Sequence, residues 1–289
     1  MTNTVFGCEQ FKAKWAEWRE LVFQNEPARL PNSSLLEPHC IYAQIWLMMA
    51  DDAAFRIARQ AYFGRPKNML FDFIERSYFR SQSLAIRRLT EKNSKDVNKI
   101  VISLTGLLDD LEQHAGCFTR ANIFCAQNLA YDCQDLEARL LHEAFDYLSR
   151  VDPSNRKQSD ALSIDILHDL RRELTICEPI QKAANKIVAH ASNPSNRGSI
   201  AEHNKALCDI LRCQRRICHV ASFVSVIMLR CAQCRSFLPE PDIDDLKFFK
   251  DTGTQERWDR LAARGRLLAE DEKAFVQING IKFGKAAMG

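Results

Sequence analysis

Residues 199–237, SIAEHNKALCDILRCQRRICHVASFVSVIMLRCAQCRSF, decide the fold class. Leu207, Ile210, Leu211, Ile217, Val220, Val224, Ile227, Met228 and Cys231 recur in them at the three-to-four-residue spacing of one helix face. Ser199 followed three residues later by Glu202 is a capping-box start, so a helix is expected from Ser199 to about Phe237. Its longest apolar run, Ile217 to Leu229, is pinned between Arg216 and Arg230 and contains His219. That run is too short to span a bilayer, which takes roughly 20 residues, and reads as a core helix.

The same period recurs almost everywhere along the chain, and strand-like alternation is nearly absent. The expectation is an all-α, multi-helix bundle of long antiparallel helices. Phe11, Trp15, Trp18 and Val22 form one face of a first helix, Cys8 to Gln24. A linker with Pro27, Pro31 and Pro38 follows. A second helix, His39 to Phe63, uses Ile45, Leu47, Met48, Phe55 and Ile57 and stops at Gly64-Arg65-Pro66. A third is expected over Asn68–Glu91 and a fourth over Val97–Gln113. Two more lie between Thr119 and Arg150, ended by Asp152-Pro153-Ser154-Asn155. Ser159 or Asp160 is expected to cap the next helix, running to about His190 with a kink near Pro179. The chain thus divides into an N-terminal helix and linker (1–38), a helical bundle (39–238) and a tail (239–289) with a short helix over Glu256–Asp271.

Composition agrees with a cored protein: 289 residues, 46% hydrophobic, with few Pro and Gly. The net charge of +3 permits an anionic partner without demanding one, so any nucleic-acid surface must come from clustering. Eleven Cys at no framework spacing, with no charged-apolar-small leader, point to a reducing cytoplasm with most thiols buried as small hydrophobes. No glycine-rich phosphate loop, Gly-x-Ser-x-Gly elbow or His-Glu-x-x-His is present, which sets aside most nucleoside triphosphatases, α/β hydrolases and zinc proteases. Cys231 and Cys234, with Cys218 and His219 upstream, lack the turn that presents zinc ligands and are read as buried thiols, so no metal and no cofactor is expected. Cys208, Cys213 and Cys218 step by five and go to different sides of their helix. The adjacent carboxylates Asp51-Asp52 and Asp109-Asp110 are read as solvated.

Three phrases occur in order: Ser83-Leu84-Ala85-Ile86-Arg87-Arg88-Leu89 at a helix end, Ser103-Leu104-Thr105-Gly106-Leu107-Leu108 opening the next, and Lys186-Ile187-Val188-Ala189-His190 later on. Over about Ile41 to Met228 this resembles the AbiU-type abortive-infection branch of the HEPN (higher eukaryotes and prokaryotes nucleotide-binding) superfamily. The resemblance implies an all-α bundle, usually dimeric, in phage-defence or toxin–antitoxin systems. It also implies an RNA-engaging function, as a metal-independent endoribonuclease or with an antitoxin or defence-system protein as partner. The family places an Arg four to six residues before the motif His. Here Ala183, Ala184 and Asn185 hold those positions, while Asn185 matches the polar residue that follows the Arg and His190 matches the base. Lys186, one turn from His190, is the substitute cation, although Lys lacks the planar fork of Arg. Ser192 stands where some HEPN toxins carry a modified Tyr.

Two arginine stripes bear on RNA. Arg76, Arg80, Ser83 and Arg87 share one face of the third helix, and Arg212, Arg215, Arg216 and His219 one face of the last long helix. Such stripes face either phosphates or acidic neighbours, for which Asp109, Asp110 and Glu112 are the candidates. Arg87 is the candidate for supplying in space the Arg missing in sequence. The competing expectation is a catalytically silent scaffold or sensor that binds a protein partner, with His190 closing a helix.

Overall fold

In the computed structural model the described residues are 7–23, 40–61, 69–92, 101–133, 135–185 and 200–231. They form α1 (Cys8–Val22), α2 (Ile41–Ala61), α3 (Met69–Thr90), α4 (Leu104–Gln113), α5 (Arg120–Ala126), α6 (Leu136–Ser149), α7 (Ile164–Leu174), α8 (Glu178–Ala184) and α9 (Ile200–Ser222). Among these residues there is no strand, and one antiparallel bridge joins Thr119 to Ala161. The fold is all-α. The expected proline linker up to Pro38, the 239–289 tail with its short helix and the Ser199 cap lie outside the described residues.

The stripes read from sequence fill the core. Phe11, Trp15, Trp18 and Val22 of α1 are buried, and the first three pack around Phe118 with ring centroids 5.7–5.8 Å away. Trp18 Nε1 donates to Asp110 at 2.6 Å, and Lys14 pairs with the same carboxylate at 2.8 Å. A disulfide, unforeseen from cysteine spacing, joins Cys8 to Cys125 and ties α1 to α5. Of the eight other described thiols, Cys40, Cys117, Cys177, Cys213 and Cys231 are buried, Cys133 and Cys218 half-buried and Cys208 exposed.

Several boundaries differ from the sequence reading, each for a local reason. Leu47 is 40% exposed, so it belongs to the outer face of α2. Helix α4 begins at Leu104 because the Ser103 hydroxyl accepts from Gly106 N at 2.9 Å. Asp160 caps no helix; its carboxylate is taken by Arg120, and α7 starts after Ser163. Ahead of Pro179 the helical path tightens into a 3-10 turn, Thr175–Cys177, between α7 and α8, and Pro179 falls in the first turn of α8, where its missing N–H costs little. Helix α9 passes into a π-helical turn, Phe223–Met228, and stops at Leu229, with Arg230 left-handed at φ 52°, well short of Phe237. Cys231 is therefore buried beyond the helix end, not on a helix face.

The α5–α6 region is organised around a fully buried arginine. Arg120 donates to Asp160 (3.1 and 3.2 Å) and to the His142 carbonyl (3.1 Å), pairs with Asp146 at 2.8 Å, and lies 5.0 Å from the Phe145 ring centroid. Arg156 holds Asp146 from the other side. Two anionic and two cationic groups thus neutralise one another out of water, an arrangement whose desolvation is tolerable only while every member stays. Replacing Arg120 with Met strands Asp160 and removes one of the two cations on Asp146. Stability is expected to fall by about 3–5 kcal/mol, read as a shift of the urea midpoint.

His142 faces the same cluster. Its Nε2 lies 3.1 Å from the Tyr131 carbonyl and its Nδ1 3.4 Å from Arg120, so the neutral ring donating from Nε2 and accepting at Nδ1 satisfies both. Burial, reinforced by the Arg120 and Arg156 charges, holds its pKa below the ordinary value of 6.5. The unfolded chain takes this proton first, so stability is present above pH about 6.5 and is lost as pH falls below it. Urea titrations on either side of that pH are expected to show the loss in the wild type and a smaller one in His142→Gln.

Candidate nucleic-acid interface

Helix α3 is the element on which the candidate site is built. Its inner stripe, Tyr78, Gln82, Ile86 and Leu89, is buried, while Arg76, Arg80 and Arg88 are exposed. The inner stripe is held by polar as well as apolar contacts. Gln82 Nε2 donates to the Met48 carbonyl (2.9 Å) and to Asp51 (2.8 Å), and its Oε1 accepts from Gln214 Nε2 of α9 (2.8 Å). One turn earlier Tyr78 donates to Asp52 at 2.5 Å and stacks on Phe55, rings 3.8 Å apart and 8° from parallel. Arg56 closes the set on Asp52 at 2.5 Å. These pairings run α2 antiparallel to α3 and fix α9 against both.

This corrects the reading of Asp51-Asp52 as solvated: Asp52 is 4% exposed and committed inside the bundle. Burial and the Asp52 charge push the Tyr78 phenol well above its ordinary pKa, so it remains a hydroxyl donor. The network was missed because adjacent carboxylates look alike in sequence. The available signal was Gln82 and Gln214, polar residues inside otherwise apolar stripes.

Asp109, Asp110 and Glu112 do not face either arginine stripe. Asp109 and Glu112 hold Arg171 of α7, with His168 also on Glu112, and Asp110 is taken by Trp18, Lys14 and His114. Arg171 and His168 hold the Glu112 carboxyl below the usual range. The α3 stripe is consequently left without acidic cover among the described residues: Arg76 and Arg80 make no ion pair there, and Arg87 reaches only Glu91 at 3.3 Å. The α9 stripe is mixed. Arg215 is exposed and unpaired among the described residues, Arg212 touches Asp209 loosely at 3.7 Å, and Arg216 is tied to Glu173 at 2.5 Å. Arg80 and Arg215 stand within two residues of the Gln82–Gln214 bond that joins their helices.

Of the proposed catalytic residues, His190 and Lys186 lie outside the described residues. Asn185 is exposed and closes α8, its N–H reaching the Gln181 and Lys182 carbonyls. Helix α8 is anchored on the C-terminal end of α3, where Gln181 Nε2 donates to the Thr90 carbonyl (3.0 Å) and hydroxyl (2.5 Å). Thr105 and Ser103 bind the carbonyls of Thr90 and Glu91 at the same junction. The root of the 185–190 segment is therefore fixed at the end of α3 that carries Arg87 and Arg88. Ala184 is fully buried and Ala183 half-buried, so an Arg at 184 has no room.

Among the described residues no group of His, Cys, Asp and Glu is arranged to hold a metal, and no helix is long and apolar enough to cross a membrane. Cys234, the second thiol of the Cys231 pair, lies outside the described residues. Tyr78→Phe removes the only hydroxyl donor on Asp52 in this network and is expected to lower stability by about 1–3 kcal/mol, measured by chemical denaturation, with helical content unchanged.

No curated protein and no solved structure matches the chain. The AbiU2 family of HEPN proteins matches residues 33–249, from ahead of α2 to beyond α9, and so takes in the α3–α4 phrases, the 186–190 phrase and the buried network alike. The match covers most of the 289 residues, and with the all-α bundle it places this chain in the AbiU2 family, an abortive-infection branch of the HEPN superfamily.

Proposed function

We propose that this AbiU2-family protein engages RNA and cleaves it as a metal-independent endoribonuclease, with His190 as general base. The observation that supports the reading is the anchoring of α8 on the C-terminal end of α3, which brings Asn185, the residue before the Lys186–His190 phrase, to the close of a helix held at an arginine-bearing helix end. In this reaction His190 takes the proton of a ribose 2'-hydroxyl as its oxygen attacks the adjoining phosphorus. The bond to the 5'-oxygen of the next nucleotide breaks, leaving a 2',3'-cyclic phosphate and a 5'-hydroxyl once that oxygen is protonated. Charge building on the phosphate needs a cation, and the buried Ala184 rules out its usual source at that position. Lys186 and Arg87 fill the role, with Asn185 hydrogen-bonding the phosphate and Arg80, Arg212, Arg215 and Arg216 gripping the flanking backbone. The acting form is a homodimer in the cytoplasm, controlled by an antitoxin or another defence-system protein.

A second reading, a silent scaffold or sensor for a protein partner, is favoured by the absence of Arg at 183–185. Transfer and ribosomal RNA incubated with the protein in chelator separate the two. Fragments with cyclic-phosphate ends are expected, with cleavage reduced about 100-fold or more in His190→Ala and reduced in Arg87→Ala. Equal cleavage by His190→Ala removes the assigned base; neither cleavage nor salt-dependent binding by the wild type leaves the scaffold.

A further inference from the structure

The outer face of α3 begins with an unusual concentration of exposed apolar surface. Met69 is 86%, Leu70 55% and Phe73 66% exposed, whereas most other aromatic side chains among the described residues are buried in the core or packed against it. Phe73, Arg76 and Arg80 follow one another at i, i+3 and i+7, so the ring and both guanidiniums lie on one side of the helix over about 10 Å. Asp72 stands one turn before Arg76, yet no ion pair forms between them, and Arg76 and Arg80 have no carboxylate partner among the described residues. An exposed aromatic ring next to unneutralised guanidiniums needs a ligand that is flat and apolar in one part and anionic in the next.

We infer that Phe73, Arg76 and Arg80 form a binding site for single-stranded RNA, with a base stacked on Phe73 and the following phosphates on the two arginines. The inference deepens the RNA reading above and rests on it. Single strands fit because only an unpaired base offers its face to a ring, and stacking of this kind accepts any base. A second copy of this chain fits poorly. A two-fold contact would bring the Arg76 and Arg80 guanidiniums against their own images, four positive charges with Asp72 of each copy as the carboxylate on that side of the helix. The site also gives the α3 stripe a direction: RNA held at Phe73 and continuing past Arg80 runs toward Arg87 and the end of α3 on which α8 is anchored.

The test uses the full chain and a labelled 2'-O-methyl oligouridine, which lacks the 2'-hydroxyl that cleavage consumes, beside a duplex RNA of the same length. Fluorescence anisotropy is followed across a salt series. Phe73→Ala is expected to weaken single-strand binding about tenfold and to leave duplex binding unchanged, while Phe73→Trp restores affinity and its emission is quenched by the oligonucleotide. Arg76→Ala with Arg80→Ala is expected to reduce the salt slope by about 1.4. All three positions are exposed, so far-ultraviolet circular dichroism should not change. Wild-type affinity in both Phe73→Ala and the double arginine variant overturns this site and leaves the RNA reading standing. No RNA binding by the wild type removes both. A lower mass of Phe73→Ala by light scattering, with RNA affinity intact, assigns the face to protein contact and overturns the proposal.

Discussion

The hydrogen bond between Gln82 and Gln214, with Gln82 also donating to Asp51 and the Met48 carbonyl, is the constraint from which α2, α3 and α9 take their register. Apolar stripes bring helices together but slide past one another at little cost, because one methyl packs much like the next. A buried amide does not slide. Each of its polar atoms needs a partner, and leaving one unmatched costs about 1–3 kcal/mol. Gln82 reaches both α2 and α9, so a shift of either neighbour breaks bonds that nothing else in the core can replace. Tyr78 and Asp52 repeat the device one turn away and add a stacked ring on Phe55. Helix α3 is thereby fixed in rotation, which determines which of its residues face outward.

A second, independent knot governs the other half. Arg120, Asp146, Asp160 and Arg156 close the α5–α6 region and pull in the 156–162 connection, where Arg120 N donates to the Asp160 carbonyl at 2.8 Å and Leu162 N to that of Phe118 at 2.9 Å. Helix α1 then packs onto this region through its aromatic stripe, the Trp18–Asp110 bond and the Cys8–Cys125 disulfide. The two knots differ in kind. The α2–α3–α9 knot is mostly of neutral amides and a phenol around one ion pair, whereas the α5–α6 knot is ionic throughout and so is the part that responds to pH through His142.

The sequence made the helices legible because burial on one face imposes a period, and periods survive without knowledge of partners. The buried Phe11, Trp15, Trp18 and Val22 of α1, and Ile210, Ile217, Val220 and Val224 near the chain's last described helix, follow from that period alone. What escaped reading was long-range. Asp52 and Asp51 share a type and a position in sequence, and only their distance to Tyr78 and Gln82, some thirty residues on, separates a buried acceptor from a surface charge. Asp160 looked like a helix cap until Arg120, forty residues away, claimed it. Pro179 was legible as a disturbance, but whether the chain bends or breaks there depends on how α7 and α8 pack, which sequence does not carry. Of the proposed site, the phrases were legible in sequence, Asn185 and the arginine stripes fall among the described residues, and His190 and Lys186 do not.

The division of α3 into a locked inner face and an open outer one bears on the missing motif arginine. A cation four to six residues before His190 in sequence would have to enter through Ala183, Ala184 or Asn185, and the fully buried Ala184 shows how closely part of that turn is packed. A cation from α3 meets no such obstacle, because Gln82, Tyr78 and Leu89 hold the helix from inside while Arg76, Arg80, Arg87 and Arg88 remain on its exposed or half-exposed sides. Rigidity matters for that role. An arginine that stabilises charge during a reaction is effective when its backbone is already in place, since reorganisation then costs nothing at the moment of reaction. The Gln181–Thr90 bonds extend the same rigidity to the root of the 185–190 segment. On the proposed RNA-cleaving reading, the buried polar bonds of one helix do for its arginines what the motif Arg would do from its own helix, and loosening the Gln82 knot is expected to weaken cleavage without touching any residue proposed to meet RNA.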